Sequence, residues 1–229
     1  MPYRLVGMTD QLVGMLPTPA GKRDQLLAAA RKLILERGFA AATVDRICET
    51  TGVTKGAFFH YFEDKNVLGK SVAEQFASDL VQAYETGPFL QPSDPLKRVF
   101  AYIDFTSEIM RGPLLSHGCL IGALSVEVAQ THEEIRALCA QTFDGWARSL
   151  SYLLREAKTR HAPAVAFDPD AIARLFLATV EGALILARAH QDPELVEEGL
   201  SQFRDYVRLL FGQDTKRGRK RHAGTAARR

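Results

Sequence analysis

Three cysteines in 229 residues, none at a paired spacing, are too few for a disulfide framework and fit a reducing cytoplasm. No stretch reaches the roughly 18 consecutive apolar residues that a membrane helix requires. The first nineteen residues, MPYRLVGMTDQLVGMLPTP, hold one basic residue and an interrupted apolar pattern, unlike a secretory signal. They read as a disordered arm, with Met8 or Met15 as alternative starts. Catalytic signatures are missing too. His132, Glu133 and Glu134 lack the second histidine of a zinc-protease helix, and no glycine-rich phosphate loop occurs. Ser116, His117 and Cys119 are neighbours along the chain rather than a constellation. These absences exclude the familiar enzyme classes and leave no metal or cofactor expected.

What is present is apolar mass and uneven charge. Apolar residues make up 46% of the chain, enough for a sizeable core. The net charge of +2 conceals +3 over residues 20–70, −7 over residues 71–213 and +6 over the last sixteen residues. The basic first part is the end suited to a polyanion. The tail DTKRGRKRHAGTAARR has few apolar residues and is expected to be disordered; extra nonspecific DNA affinity and a plain solvated tail are both open to it.

The most informative segment is Thr43 to Lys65, TVDRICETTGVTKGAFFHYFEDK. Thr43 precedes the apolar pattern Val44, Ile47, Cys48 and is placed to cap a short helix. Gly52 ends that helix in a left-handed turn, Val53 fills the corner, and Thr54 caps a second helix. The second helix presents Lys55, Gly56, Phe59, His60 and Tyr61 outward while Phe58 and Phe62, four apart, face inward. This is the pattern of a helix-turn-helix that reads DNA. Small groups at Gly56 and Ala57 permit close approach to base edges, where Lys55 can donate to guanine acceptors. His60, Tyr61 and Lys65 are the flanking donors for phosphates.

The remainder reads as helical nearly throughout. Lys22 to Arg37 carries one apolar face, Leu26, Leu27, Ala30, Leu33 and Ile34, and stops at Gly38. A helix from Asp64 to about Thr86, striped by Val67, Leu68, Val72, Phe76 and Leu80, links the reading head to the body and is the expected transmission element. Further helices are expected over about 95–110, 119–129, 133–160, 168–191 and 192–211, three of them opened by a proline in the first turn. The last two are apolar beyond one face, which suggests burial against a second copy of the chain.

The run LLAAARKLILERGFAAATVDRICETTGVTKGAFFHYFEDKNVL resembles the N-terminal domain of the TetR family of transcriptional repressors. RGF after the first helix, Thr43 at the cap, TGVTKGAFFHYF and Lys65 carry the resemblance. It implies an all-α protein with an N-terminal three-helix DNA-binding domain and a larger C-terminal helical domain for ligand binding and dimerisation. The corresponding boundaries are 1–20 for the arm, 21–67 for the head, 68–212 for the body and 213–229 for the basic tail. The implied partners are a palindromic double-stranded operator, a second copy of the chain through its last two long helices, and a small-molecule inducer; no membrane is involved. By the same resemblance Thr54, Lys55, Gly56 and Phe59 read bases, and Thr43, His60, Tyr61 and Lys65 hold the backbone. One departure is Phe59, where many members carry a tyrosine whose hydroxyl reaches a phosphate; the ring here is left to a thymine methyl or a sugar.

Candidates for the inducer pocket are Phe100, Ile103, Phe105, Ile109, Met110, Phe143, Trp146, Tyr152 and Phe176, together with Cys119 and Glu181. They favour an apolar or aromatic inducer, although each of the apolar residues is more often plain core. Glu181 lies in LFLATVEGALILA, where a buried carboxylate needs a partner; Arg188 and Arg174, across a dimer or within the chain, are the candidates. Cys119, beside His117 near a helix start, offers an alternative function as a sensor of oxidants or electrophiles if its thiol pKa is lowered. The phrase GCLIGALSVEVA resembles a subgroup of the family in which a few members sense by cysteine. Cys48 and Cys139 read as structural. Other rivals are an activator or nucleoid-type binder that needs no inducer, and a small-molecule binding protein whose head no longer reads DNA.

Overall fold

The computed structural model describes residues 21–112 and 118–213. The N-terminal arm, His117 and nearly all of the basic tail lie outside them. Every regular element among the described residues is helical.

Three short helices form the head. In α1, Lys22–Arg37, Leu26, Leu27, Ala30 and Ile34 are buried on one face, and Gly38 at φ 87° ends the helix by donating its N–H to the Ile34 carbonyl. Helix α2, Val44–Thr51, starts where Thr43 Oγ1 accepts from the Arg46 N–H at 3.3 Å. Gly52 at φ 69° then reverses the chain, a conformation that costs other residues a Cβ clash. In α3, Lys55–Tyr61, Thr54 Oγ1 accepts from the Ala57 N–H at 3.2 Å. Phe58 and Phe62 are buried and pack ring against ring at 5.8 Å.

Helix α4, Lys65–Glu85, is doubly capped by Asp64, whose Oδ1 accepts from Asn66 and Val67 N–H groups at 2.7 and 2.8 Å. Its 21 residues span about 30 Å at the usual rise of an α-helix and carry the chain from the head into the body. Leu68, Val72, Phe76 and Leu80 form its buried stripe as expected, whereas Val67 points to solvent. Phe39, from the loop after α1, lies so close to Gly69 that a Cβ there would stand 2.4 Å from the ring, so α4 holds this loop directly.

A 3-10 turn, Pro88–Leu90, leads to α5, Pro95–Arg111, whose first turn is capped by Asp94. Then follow α6, Leu120–Val128; α7, Glu133–His161; α8, Pro169–His190; and α9, Glu194–Leu210. Helix α7 packs against α4, α5, α6 and α8, while α9 closes the body on α5 and α8. Helix α6 touches α1 and α4 as well as α7, which makes it a second bridge between body and head. No described helix is long and apolar enough to cross a membrane.

Candidate DNA-reading face and ligand cavity

The outward face of α3 is set by what its inward face must bury. With Phe58 fully buried and Phe62 only 2% exposed, the intervening Phe59 and Tyr61 are turned out, 55% and 39% exposed. An exposed phenylalanine costs hydrophobic free energy unless something covers it. His60 and Tyr61 stand edge to face, ring centroids 5.1 Å apart, with both side chains on the solvent side. At Gly56 a Cβ would meet nothing within 4 Å, so no intramolecular contact requires glycine there.

Lys55 Nζ lies 2.6 Å from Asp45 Oδ1 of α2 in an exposed ion pair. The hydrogen bond to Asp45 raises the pKa of Lys55, so the ammonium remains charged. Surface pairs of this kind contribute little, and a guanine edge or a phosphate can take over the ammonium. Asp45 went unnoticed in the sequence, although its position two residues after the cap of α2 places it toward the start of α3.

Lys65 makes contacts within the protein that the sequence did not suggest. Its Nζ donates to the Phe39 and Ala40 carbonyls at 2.9 and 3.2 Å and sits 4.4 Å from the centre of the Phe39 ring. Burial lowers its pKa, offset in part by the carboxylate of Glu127. That carboxylate, from α6, accepts from the N–H groups of the same two residues, Phe39 at 2.5 Å and Ala40 at 2.7 Å. The loop between α1 and α2 is thus held from both sides, its carbonyls by Lys65 and its amides by Glu127. Two of the three ammonium N–H groups of Lys65 are thereby engaged within the protein.

In the body, α4, α5, α7 and α8 enclose a cavity of about 530 Å³. Leu80, Val81 and Tyr84 come from α4, Tyr102, Thr106 and Met110 from α5, Trp146 and Tyr152 from α7, and Phe176, Val180, Glu181 and Leu184 from α8. Phe89 and Cys119 complete it from the 3-10 turn and the start of α6. Met110, Cys119, Trp146, Tyr152, Phe176 and Glu181 of the sequence candidates therefore line it. Phe100, Ile103, Phe105, Ile109 and Phe143 do not. On α5 the cavity ridge runs Arg98, Tyr102, Thr106, Met110 at steps of four, and the most apolar residues lie off it. Ile103 and Ile109 are plain core, and Phe105 packs its ring on Tyr84 and Phe89 at 5.3 and 5.6 Å. Phe100 lies under the guanidinium groups of Arg204 and Arg208, and Phe143 meets Trp146 edge on at 5.8 Å.

Polar groups in the cavity are few and mostly spoken for. Thr106 Oγ1 donates to the Tyr102 carbonyl at 2.9 Å, so at 2.8 Å it accepts the hydroxyl proton of Tyr84. Burial pushes the Tyr84 phenol up to about 12, and it stays neutral. Arg98 donates to the Pro92 carbonyl at 2.7 Å and to Glu156 at 3.4 Å. Cys119 caps α6, its Sγ accepting from the Gly122 N–H at 3.4 Å. Burial, and next the nearby charge of Glu181, hold its thiol well above the usual range. That is the opposite of the lowered pKa a reactive sensor needs, and the supposed helper His117 lies outside the described residues. Within one chain Glu181 makes no ion pair with Arg174 or Arg188; burial raises its pKa and the thiol of Cys119 is its hydrogen-bond partner. Among the described residues no group of histidine, cysteine and acidic side chains could hold a metal ion.

Residues 26–72 match the family described as bacterial regulatory proteins, tetR family, and residues 95–203 match the tetracyclin repressor-like C-terminal domain. The chain is 30% identical over 182 residues to the transcriptional regulator AcuR of Cereibacter sphaeroides, spanning 78% of this chain and 81% of that relative. It is 26% identical over 187 residues to the HTH-type transcriptional repressor DhaR of a Mycobacterium species, spanning 82% and 91%. A crystal structure of the regulatory protein TetR from Rhodobacter sphaeroides superposes with a TM-score of 0.69 at 28% identity, covering 79% of this chain and 96% of that one. Proteins of this kind are DNA-binding regulators rather than enzymes. With a capped helix-turn-helix matched in the first part and the hollow helical body in the second, the chain belongs to the TetR family of transcriptional regulators.

Proposed function

We propose that the protein is a cytoplasmic homodimeric repressor that leaves a palindromic operator when a small apolar or aromatic molecule fills the cavity. The observation that carries this reading is the division of α8 into two faces. Phe176, Val180, Glu181 and Leu184 look into the cavity. Leu175, Ala178, Gly182, Ile185, Leu186 and Ala189 recur at helical spacing on another side, where Leu175, Ile185 and Leu186 are 46%, 64% and 53% exposed. Such a stripe is the mark of an uncompleted interface, and Leu209 and Tyr206 of α9 extend the exposed apolar surface. A ligand in the cavity therefore presses on the helix through which two copies would meet.

The cavity volume lies in the range of small-molecule sites, about 300–1,000 Å³. DhaR, whose name makes it a repressor, supports the sign of regulation. Two heads on one face of a duplex must stand about 34–36 Å apart or a multiple of this, so a change in their separation weakens binding. A coupling of about 1–3 kcal/mol changes operator affinity about 5- to 150-fold. Helix α6 is placed to carry it, with Cys119 at the cavity and Glu127 at the head, about 12 Å apart along the helix axis.

Selection of bound duplexes from a random pool tests the reading. It expects a palindrome whose binding is lost in Lys55→Ala and Tyr61→Ala, and transcription from a promoter bearing that palindrome rises when the gene is deleted. A pool without enrichment overturns DNA reading; transcription that falls on deletion overturns repression.

A further inference from the structure

Glu181 is an acid inside a cavity whose other walls are mainly apolar. Room for its carboxylate is made by Gly122 of α6, where a Cβ would stand 2.3 Å from Glu181 Oε2. Its neighbour there is the thiol of Cys119, a weak donor. Arg98, the one basic side chain among the described lining residues, is engaged by the Pro92 carbonyl and by Glu156. Glu85 adds a second carboxylate to the lining. A carboxylate withdrawn from water without a full-strength donor is costly, and a ligand that brings the donor removes the cost.

The rest of the lining indicates which donor. Tyr84, Phe89, Tyr102, Trp146, Tyr152 and Phe176 surround the space with aromatic rings. Aromatic rings attract an organic cation through their electron-rich faces, while an anion would meet two carboxylates. Resting on the reading of this cavity as the inducer site, we propose that Glu181 is its recognition group and that the ligands it selects are hydrophobic amines, bound as ammonium ions between the carboxylate and the aromatic walls. The apolar body of such a molecule fills the cavity, and its N–H groups donate to Glu181 in place of the thiol.

Trp146 is the sole tryptophan of the chain and lines the cavity, so its fluorescence reports occupancy directly. Three probes of one shape are titrated into the full-length protein: 4-phenylbutylamine, 4-phenylbutan-1-ol and 4-phenylbutyrate. The amine should bind at least about tenfold tighter than the alcohol, the worth of one hydrogen bond to a charged group, and the carboxylate weakest. Glu181→Gln, similar in shape, should bring amine and alcohol level. Alcohol binding as tight as amine binding in the wild-type protein overturns the proposal whatever the variant does, and leaves the cavity as the inducer site. An amine preference that survives in a folded Glu181→Gln protein overturns the role of Glu181. No quenching by any probe overturns both the amine class and the inducer cavity.

Discussion

Replacing Glu127 by alanine should weaken the protein and its response to ligand together. The side chain accepts two backbone hydrogen bonds from a loop of the head, Phe39 N–H at 2.5 Å and Ala40 N–H at 2.7 Å. Hydrogen bonds to an ionised acceptor contribute about 1.5–3 kcal/mol each when sheltered. Here the Ala40 bond is exposed, so water replaces most of it on truncation, while the part-buried Phe39 amide loses more. The net loss is about 2 kcal/mol, and in a chain of this size it lowers Tm by about 4–8 °C. Val126→Ala on the adjacent, 84% exposed position is the control, with a change within about 0.5 kcal/mol. Thermal unfolding followed by circular dichroism measures both. Operator binding with and without a ligand that releases the wild-type protein measures the coupling, and the ratio of the two affinities should shrink in Glu127→Ala. A Tm equal to that of Val126→Ala would refute the energetic argument; an unchanged ratio would refute α6 as the carrier.

Gly56→Ala has room in the free protein and should stabilise α3 by about 0.5–1 kcal/mol, yet operator affinity should fall about tenfold or more as the methyl group holds the helix off the bases; paired melting and gel-shift measurements check it. Ile185→Asp places a charge in the exposed stripe of α8 and should convert the dimer to a folded monomer, read by light scattering alongside circular dichroism. Alkylation of Cys119 should show a midpoint above the ordinary thiol range, because only the thiolate reacts and burial and Glu181 disfavour it; Glu181→Gln removes the charge, so the midpoint should move down.

Helix limits were legible because their signals are local. Thr43 and Thr54 accept from the first-turn amides as their sequence positions suggest, Asp94 and Asp168 do so just ahead of the prolines that open α5 and α8, and Gly38 and Gly52 take the positive φ that ends α1 and α2. The inward and outward sides of α3 follow from spacing alone, since Phe58 and Phe62 lie one turn apart. The cavity was half legible. Ranking residues by hydrophobicity selected Phe100, Ile103 and Ile109, which the core absorbs, and passed over Tyr84, Tyr102 and Thr106. A cavity that keeps polar groups among apolar ones is marked by a mixed row such as Arg98, Tyr102, Thr106, Met110, and a search for pure apolar residues discards that row.

What local pattern cannot convey is which distant group a charge will meet. Lys65 follows the cap of α4 and reads as a phosphate donor, and nothing local announces that it also donates to the loop at Phe39 and Ala40, 26 and 25 positions earlier. Glu127 sits in ALSVEVA, a run that holds no local partner for a carboxylate. Only the packing of α6 against α1 and α4 brings its carboxylate to amides 88 and 87 positions away. The two side chains meet no common partner in sequence and share one loop in space. That sharing gives the head a fixed attachment to the body, and a fixed attachment is what the proposed inducer, some 12 Å away along α6, would need to act upon.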